Sequence, residues 1–329
     1  MAKGGTVHLP VMPVETLERL CVRAGGTYVD ATLGGGGHAA EILRHAGDGC
    51  RFLGIDRDGD ALERTRKRLA QFGGDKVFVH GNHGDFARIA DENGFTSIDG
   101  LLIDTGISSD QLDTPERGFS FRSDGPLDMR MDQDRGETAA DLIARMDVDE
   151  MADIFRRYGE EPRARHVARA IEKARSFAPI TTTGELADIV AKSLGAPGRS
   201  RGHHPATRVF QALRMAVNGE LEALEAALEA AIARLAPGGR IAVITFESLS
   251  DRLVKQCFVR HEGRDVSLQQ GGSRWEGVLP RLVRVDRHAV TPGKEEIAAN
   301  PRARSAKLRA AFAPGPEEAG GDLKNKEGF

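Results

Sequence analysis

The sequence predicts an α/β fold, a doubly wound and mostly parallel sheet interrupted by an all-helical insertion. Three observations lead there. Short apolar, β-rich runs alternate with helical stretches at the start of the chain; about a hundred residues then carry helices with no strand between them; and the alternation afterwards resumes. Residues 27–31, 51–56, 76–80 and 100–104 read as the first four strands, and three of them end at or near an aspartate: Asp30, Asp56 and Asp104. Ligands of open α/β sheets bind at that carboxyl edge. Residues 39–45 and 60–72 have helical composition, the second with Arg and Lys on its outer face, and read as crossover helices.

From Asp113 onward, turn residues give way to helices at 146–158, 164–177 and 183–194. In the second of these, Val167, Ala170, Ile171 and Ala174 keep the i, i+3, i+4, i+7 spacing of a buried stripe. The basic, Gly- and Pro-containing stretch 196–202 closes the insertion as a flexible loop. A long helix then runs through Leu221, Leu224, Leu228, Ile232 and Leu235 and stops at Pro237-Gly238-Gly239, ahead of a strand at 240–246. The expected domains are a discontinuous core, 1–112 with 207–313, an inserted helical domain, 113–206, and a disordered tail, 314–329.

With 329 residues and 40% hydrophobic content, the chain can bury a sizeable core. No apolar run reaches the roughly 18 to 20 residues that cross a bilayer, and the N-terminus lacks the apolar centre of a signal peptide, so a cytoplasmic protein is expected. Cys21, Cys50 and Cys257 form no Cys-x-x-Cys pair and read as reduced structural thiols. The net charge of -3 does not advertise nucleic-acid binding, yet residues 156–214 hold 12 Lys and Arg against 5 Asp and Glu, besides His166, His203 and His204. Such a surface suits phosphates. A solvated helix face with counterions accounts for it equally well.

The first strand runs into Gly34-Gly35-Gly36-Gly37-His38, a turn opening a helix, where missing side chains let a ligand approach the backbone. The spacing Gly34-x-Gly36-x-x-Ala39 satisfies a dinucleotide fingerprint, and Asp56 suits the ribose of NAD and of S-adenosylmethionine alike. The turn alone therefore leaves the cofactor open, and a purely structural turn as well. His203 and His204 have carboxylates nearby but no third ligand at a sensible spacing, so no metal is expected. Phe119, Phe121 and Met129 suit either a base clamp or core, and the flanking Arg117 and Arg122 favour substrate contact.

Several rarer strings occur in one order between His8 and Ala311. They are Asp30-x-Thr-x-Gly-x-Gly-Gly-His38, Asp56-Arg-Asp58, Arg117-Gly-Phe-Ser-Phe121, Asp124-Gly-Pro-Leu-Asp-Met-Arg-Met-Asp132 and Tyr158-Gly-Glu-Glu161. His204-Pro-Ala-Thr-Arg208, Phe210-Gln-Ala-Leu-Arg214 and Asn300-Pro-Arg-x-Arg-Ser-Ala-Lys-Leu-Arg309 complete the set. In these the chain resembles the RsmH (MraW) family, S-adenosylmethionine-dependent enzymes that methylate the N4-amino group of a decoding-region cytidine in 16S ribosomal RNA. The resemblance implies a Rossmann-like class I methyltransferase sheet. It implies that Gly36, Gly37 and His38 contact the methionine part of the cofactor, that Asp56 binds its ribose, and that His83, Asp104 and Gln111 line the same pocket. Asp104 is the leading catalytic candidate, with a purely cofactor-holding or loop-capping carboxylate as its alternative. Arg117, Phe119, Phe121, Arg208 and Arg214 are the candidate RNA contacts. Small-subunit ribosomal RNA, free or in a ribosomal particle, is the expected partner; no membrane is expected, and a homodimer is left open.

Three positions depart from the family pattern. His83 stands where an aromatic residue follows Gly81-Asn82, Thr105 stands where Asp-Leu-Gly is usual, and Glu247 replaces the histidine of Phe-His-Ser-Leu-Glu-Asp. The last removes any argument from a catalytic histidine there. Three rivals remain: a DNA amino-methyltransferase, which would show an Asp/Asn/Ser-Pro-Pro-aromatic string where Asp104-Thr-Gly-Ile stands, a non-catalytic assembly factor with a vestigial pocket, and more distantly an NAD oxidoreductase.

Overall fold

The computed structural model describes residues 10–195, 204–268 and 271–315. The expected loop 196–202, His203 and all but the first two residues of the expected tail lie outside them. The chain divides into two compact units, 1–106 with 221–329 and 107–220.

The first unit is built on a seven-stranded sheet. Its strands are β1 (Thr27–Asp30), β2 (Arg51–Asp56), β3 (Asp75–His80), β4 (Ile98–Asp104), β5 (Leu235–Thr245), β8 (Val283–Arg284) and β9 (Lys307–Phe312); β6 (Arg264–Ser267) and β7 (Ser273–Glu276) form a separate hairpin. The spatial order is β3-β2-β1-β4-β5-β9-β8, with the first five strands parallel and β9 antiparallel to both neighbours. Both faces are buried, as parallel strands require. Val29, Leu53, Ile55, Leu101, Ile103 and Val243 pack into one apolar cluster, while the alternate residues Tyr28, Phe52, Leu102 and Ile244 pack into the other. Glu220–Ile232 covers the first face through Leu224, Ala227, Leu228 and Ile232, and Gly37–Ala46 covers the second through Ala39, Ile42 and Leu43.

Two expectations need correction. The long helix ends at Ile232, and Pro237-Gly238-Gly239 lies inside β5 as a bulge: Ile98 pairs with Leu235, but Gly100 already pairs with Arg240. Gly238 adopts φ 79 there, a left-handed conformation that costs glycine little. The helical unit also begins and ends outside the expected 113–206. Helix Thr207–Asn218, assigned to the core from sequence, buries Val209, Phe210, Ala212 and Leu213 among the helical residues Met151, Phe155, Val167 and Ile171.

That helical unit has its own core, to which Val167 and Ile171 of the expected stripe belong. Four of its helices open with reciprocal caps, Ser108 with Gln111, Thr138 with Asp141, Asp147 with Glu150 and Thr182 with Glu185, each satisfying two otherwise unpaired amides. No helix among the described residues is long and apolar enough to cross a membrane. The three cysteines are free; Cys50 and Cys257 are buried, while Cys21 is exposed at a helix end.

Helix Ser248–Glu262 is tied to the antiparallel strand β9 by an ion-pair cluster. Asp251 Oδ1 accepts from Arg309 Nε at 2.7 Å, and its Oδ2 accepts from Arg309 Nη2 at 3.2 Å and Lys307 Nζ at 3.1 Å. The Asp251 and Arg309 side chains are only 11% and 12% exposed, so removing one partner strands the other's charge. Asp251→Ala is expected to lower unfolding free energy by about 3 to 5 kcal/mol in urea titrations.

Candidate cofactor pocket

The pocket is built where β1, β2 and β4 end. After β1 the chain turns through Gly34 (φ 48) and Gly36 (φ 70), both left-handed. A Cβ on Gly36 would lie 2.4 Å from Thr65 Cγ2, so the turn is closed to any larger residue. The loop is fastened from behind: Thr65 Oγ1 donates to the Gly34 carbonyl and Arg68 Nη1 to that of Gly35, each at 2.6 Å. From the front, Asp56 at the end of β2 accepts from Gly34 N at 2.5 Å and Asp58 N at 2.8 Å. Its carboxylate is thereby fixed, and each oxygen keeps a lone pair for a ligand hydroxyl.

Asp104 ends β4, and its amide donates to Thr32 Oγ1 at 2.6 Å, while the Thr32 amide donates to Asp30 Oδ1 at 3.1 Å. These bonds stitch the ends of β1 and β4 together. Asp104 Oδ1 is buried and has no hydrogen-bond partner; the same holds for Nε2 of the buried His38. His38 Nε2 stands 3.8 Å from Asp104 Oδ2, beyond hydrogen-bond reach.

Burial, with the charge of Asp30 adding to it, pushes Asp104 up to about 8. Asp30 is itself pushed up to about 7 by burial, with a further contribution from the charge of Asp56. Burial also raises Asp56, and it holds His38 down at about 4, a neutral imidazole. None of the three aspartates forms an ion pair with a lysine or arginine among the described residues. One buried and two partly buried carboxylates at one edge, without a paired lysine or arginine among the described residues, fit a ligand that carries positive charge.

Of the expected pocket residues, the sheet unit holds Gly36, Gly37, His38, Asp56, His83 and Asp104. His83 follows Asn82, whose Oδ1 accepts from Gly84 N and from Arg57. Burial, with the charge of Arg57 adding, holds the His83 imidazole down at about 3, so it is an uncharged ring where the family has an aromatic one. Gln111 lies in the helical unit on Ser109–Asp113, where its side chain completes a reciprocal cap with Ser108. Thr105 donates to the Ile244 carbonyl at 3.0 Å, a sheet-end tie. Glu247 accepts from the Ser250 hydroxyl.

The candidate RNA contacts divide. Phe119 is 7% exposed in the helical core beside the fully buried Met129, so it fills core and offers no face to a base. Arg117 Nη2 donates to the carbonyls of Arg130 and Met131 at 3.1 and 2.9 Å, holding its own loop. Arg214 is committed too: its fork grips Glu220 at 2.7 and 2.9 Å, with both side chains largely buried. Phe121 is half-buried and packs against His204 (4.6 Å) and Phe210 (4.8 Å). Arg208 is 54% exposed, with Glu161 at 3.9 Å.

Sequence reasoning assigned no pocket role to Asp30, Thr32, Arg57 or Asn82. Asp30 carried a signal, its place at a strand end; the contacts of the others form only when the loops close on one another. The chain also hides one His/Cys/carboxylate trio among the described residues, Glu229, Cys257 and His261, with ligand atoms within 4.8 Å of one another. Its hydrogen bonds are already made: His261 Nε2 meets Glu229 at 2.8 Å and Nδ1 faces the Pro280 carbonyl at 3.1 Å, while Arg260 also binds Glu229.

A parallel sheet in this order, a glycine turn closing on the acid of the second strand and a partly buried acid ending the fourth define a Rossmann-like class I methyltransferase. The chain belongs to the MraW methylase family, whose pattern matches residues 5–313. It is 49% identical to ribosomal RNA small subunit methyltransferase H of Carboxydothermus hydrogenoformans, over 92% of this chain and 97% of that one. To the protein of the same name from Symbiobacterium thermophilum it is 48% identical, over 92% and 95%. Among solved structures, TrmN from Thermus thermophilus aligns with 92% of this chain and 48% of its own at a TM-score of 0.41 and 12% identity, a likeness too distant to bear on function.

Gly36→Val combines a left-handed φ with the Thr65 clash. It is expected to weaken S-adenosylmethionine binding by roughly tenfold or more in calorimetry, from a backbone cost of about 1 to 2 kcal/mol before the clash is counted.

Proposed function

We propose that this chain is an S-adenosylmethionine-dependent methyltransferase acting on the N4-amino group of a cytidine in small-subunit ribosomal RNA. The family and the relatives named above support the reaction class and the substrate. The observation that carries the chemistry is Asp104, a partly buried carboxyl at the sheet edge whose buried Oδ1 has no partner among the described residues. When bound, the cofactor supplies an activated methyl group and a positive centre, which suits the unpaired carboxylates. Gly36, Gly37 and His38 would hold its methionine part and Asp56 its ribose, with the His83 ring beside it.

Cytosine N4 is a weak nucleophile because its lone pair is delocalised into the ring. An acceptor on its N–H bonds returns density to nitrogen, and Asp104 is that acceptor and takes the proton released. No covalent intermediate is required, since positioning alone supplies up to about 7 to 11 kcal/mol. The base reaches the sheet edge from single-stranded or distorted RNA, or by leaving its stack. The helical unit would contribute Arg208 for phosphates and Phe121 for base contact.

Asp104→Asn is expected to cut methyl transfer to undermethylated small subunits by roughly 100-fold or more, with an unchanged circular dichroism spectrum; near-normal turnover removes Asp104 from the chemistry. The ionised carboxyl is the better acceptor, so the rate should climb as pH rises through about 8 and then level off. Because the charge of Asp30 helps raise Asp104, Asp30→Asn should move that midpoint to lower pH.

A further inference from the structure

Two buried acceptors in this pocket have nothing to accept: Asp104 Oδ1 and His38 Nε2. The 3.8 Å between His38 Nε2 and the other Asp104 oxygen is too long for either residue to satisfy the other. Each orphaned buried group costs about 1 to 3 kcal/mol, which a ligand donating to both would recover. With the ring proton on Nδ1, the Nε2 nitrogen acts as an acceptor. Nε2 is left with a bare lone pair, and burial keeps the ring neutral.

A primary aromatic amine presents two N–H bonds in one plane. Resting on the cytidine reading above, we propose that His38 Nε2 and Asp104 Oδ1 each accept one N–H of cytosine N4, which makes His38 a second catalytic residue. The amine nitrogen would lie about 2.9 Å from each acceptor. With both N–H bonds held in the plane, the nitrogen lone pair stands perpendicular to it, free to form the N–C bond. As that bond forms, the electron pair of the broken C–S bond stays on sulfur. One proton then passes from N4 to Asp104 Oδ1, its bonding pair remaining on nitrogen, and the second N–H stays on His38, whose protonation does not change.

Two selectivities follow. Uridine offers an oxygen at the same position and would set an acceptor against two acceptors. The monomethylated product keeps one N–H and loses one of the two bonds, which disfavours a second transfer.

The test compares wild type, His38→Ala and His38→Gln, the glutamine restoring an acceptor near the Nε2 position. Cofactor affinity is read by calorimetry, kcat and KM on undermethylated small subunits, and products by mass spectrometry of nucleosides. At saturating cofactor, His38→Ala is expected to lower kcat roughly 10- to 100-fold and raise the share of dimethylcytidine, with His38→Gln recovering part of the rate. In nitrogen NMR of protein saturated with S-adenosylhomocysteine, cytidine should move the His38 Nε2 resonance and uridine should not. Unchanged kcat in His38→Ala at saturating cofactor, or a His38 Nε2 resonance that cytidine does not move, overturns the pairing while the cytidine reading stands. If wild type transfers methyl groups to no cytidine, the proposed function fails and this pairing falls with it.

Discussion

The arrangement depends on one constraint, the desolvation of three carboxylates at the carboxyl edge of a parallel sheet without an ion-paired lysine or arginine among the described residues. β1 lies between β2 and β4, so the acids ending these strands come together by register: Asp30 is level with Gly54 of β2 and Leu102 of β4. Burial raises all three, and the charges of Asp56 and Asp30 act in turn on Asp30 and Asp104. Charge here is costly until something positive arrives. The protein lowers part of that cost with backbone amides, from Gly34 and Asp58 to Asp56 and from Thr32 to Asp30. Asp104 alone among them keeps an oxygen with no donor.

The glycine turn answers the same constraint. Its left-handed residues bring the Gly34 amide onto Asp56, and the Thr65 hydroxyl and Arg68 guanidinium hold the loop carbonyls away from the acids. A rigid acid presented beside open backbone suits a diol and a charged ligand. The departures at His83 and Thr105 are compatible with this, since one is an uncharged ring and the other is spent on a sheet carbonyl.

The helical unit folds around its own apolar cluster, and most of its conspicuous arginines and aromatics are used internally. Arg214 holds Glu220, Arg117 holds its own loop, and Phe119 is core. Charge counting along 156–214 therefore overstates the cations free for phosphates, because Arg157 and Arg165 also face Asp153 and Asp149. A basic composition attracts RNA only through those charges that remain unpaired.

By itself, the sequence determined the alternation of the sheet unit, the helical interruption and the strand-end aspartates, because period-two burial, stripe spacing and glycine turns are local properties of neighbouring residues. The quoted strings carried the family. Tertiary structure alone decided what local patterns do not encode. The antiparallel β9 takes its place beside β5, and β8 beside β9, only by pairing across many residues. The Pro237-Gly238-Gly239 bulge required a partner strand, and helix Thr207–Asn218 joined the helical unit because its apolar face found its match there. Which arginines are spent, and that His38 Nε2 and Asp104 Oδ1 are buried without donors, are facts of three-dimensional proximity. A hydrogen bond between distant residues exists only once packing has fixed both ends.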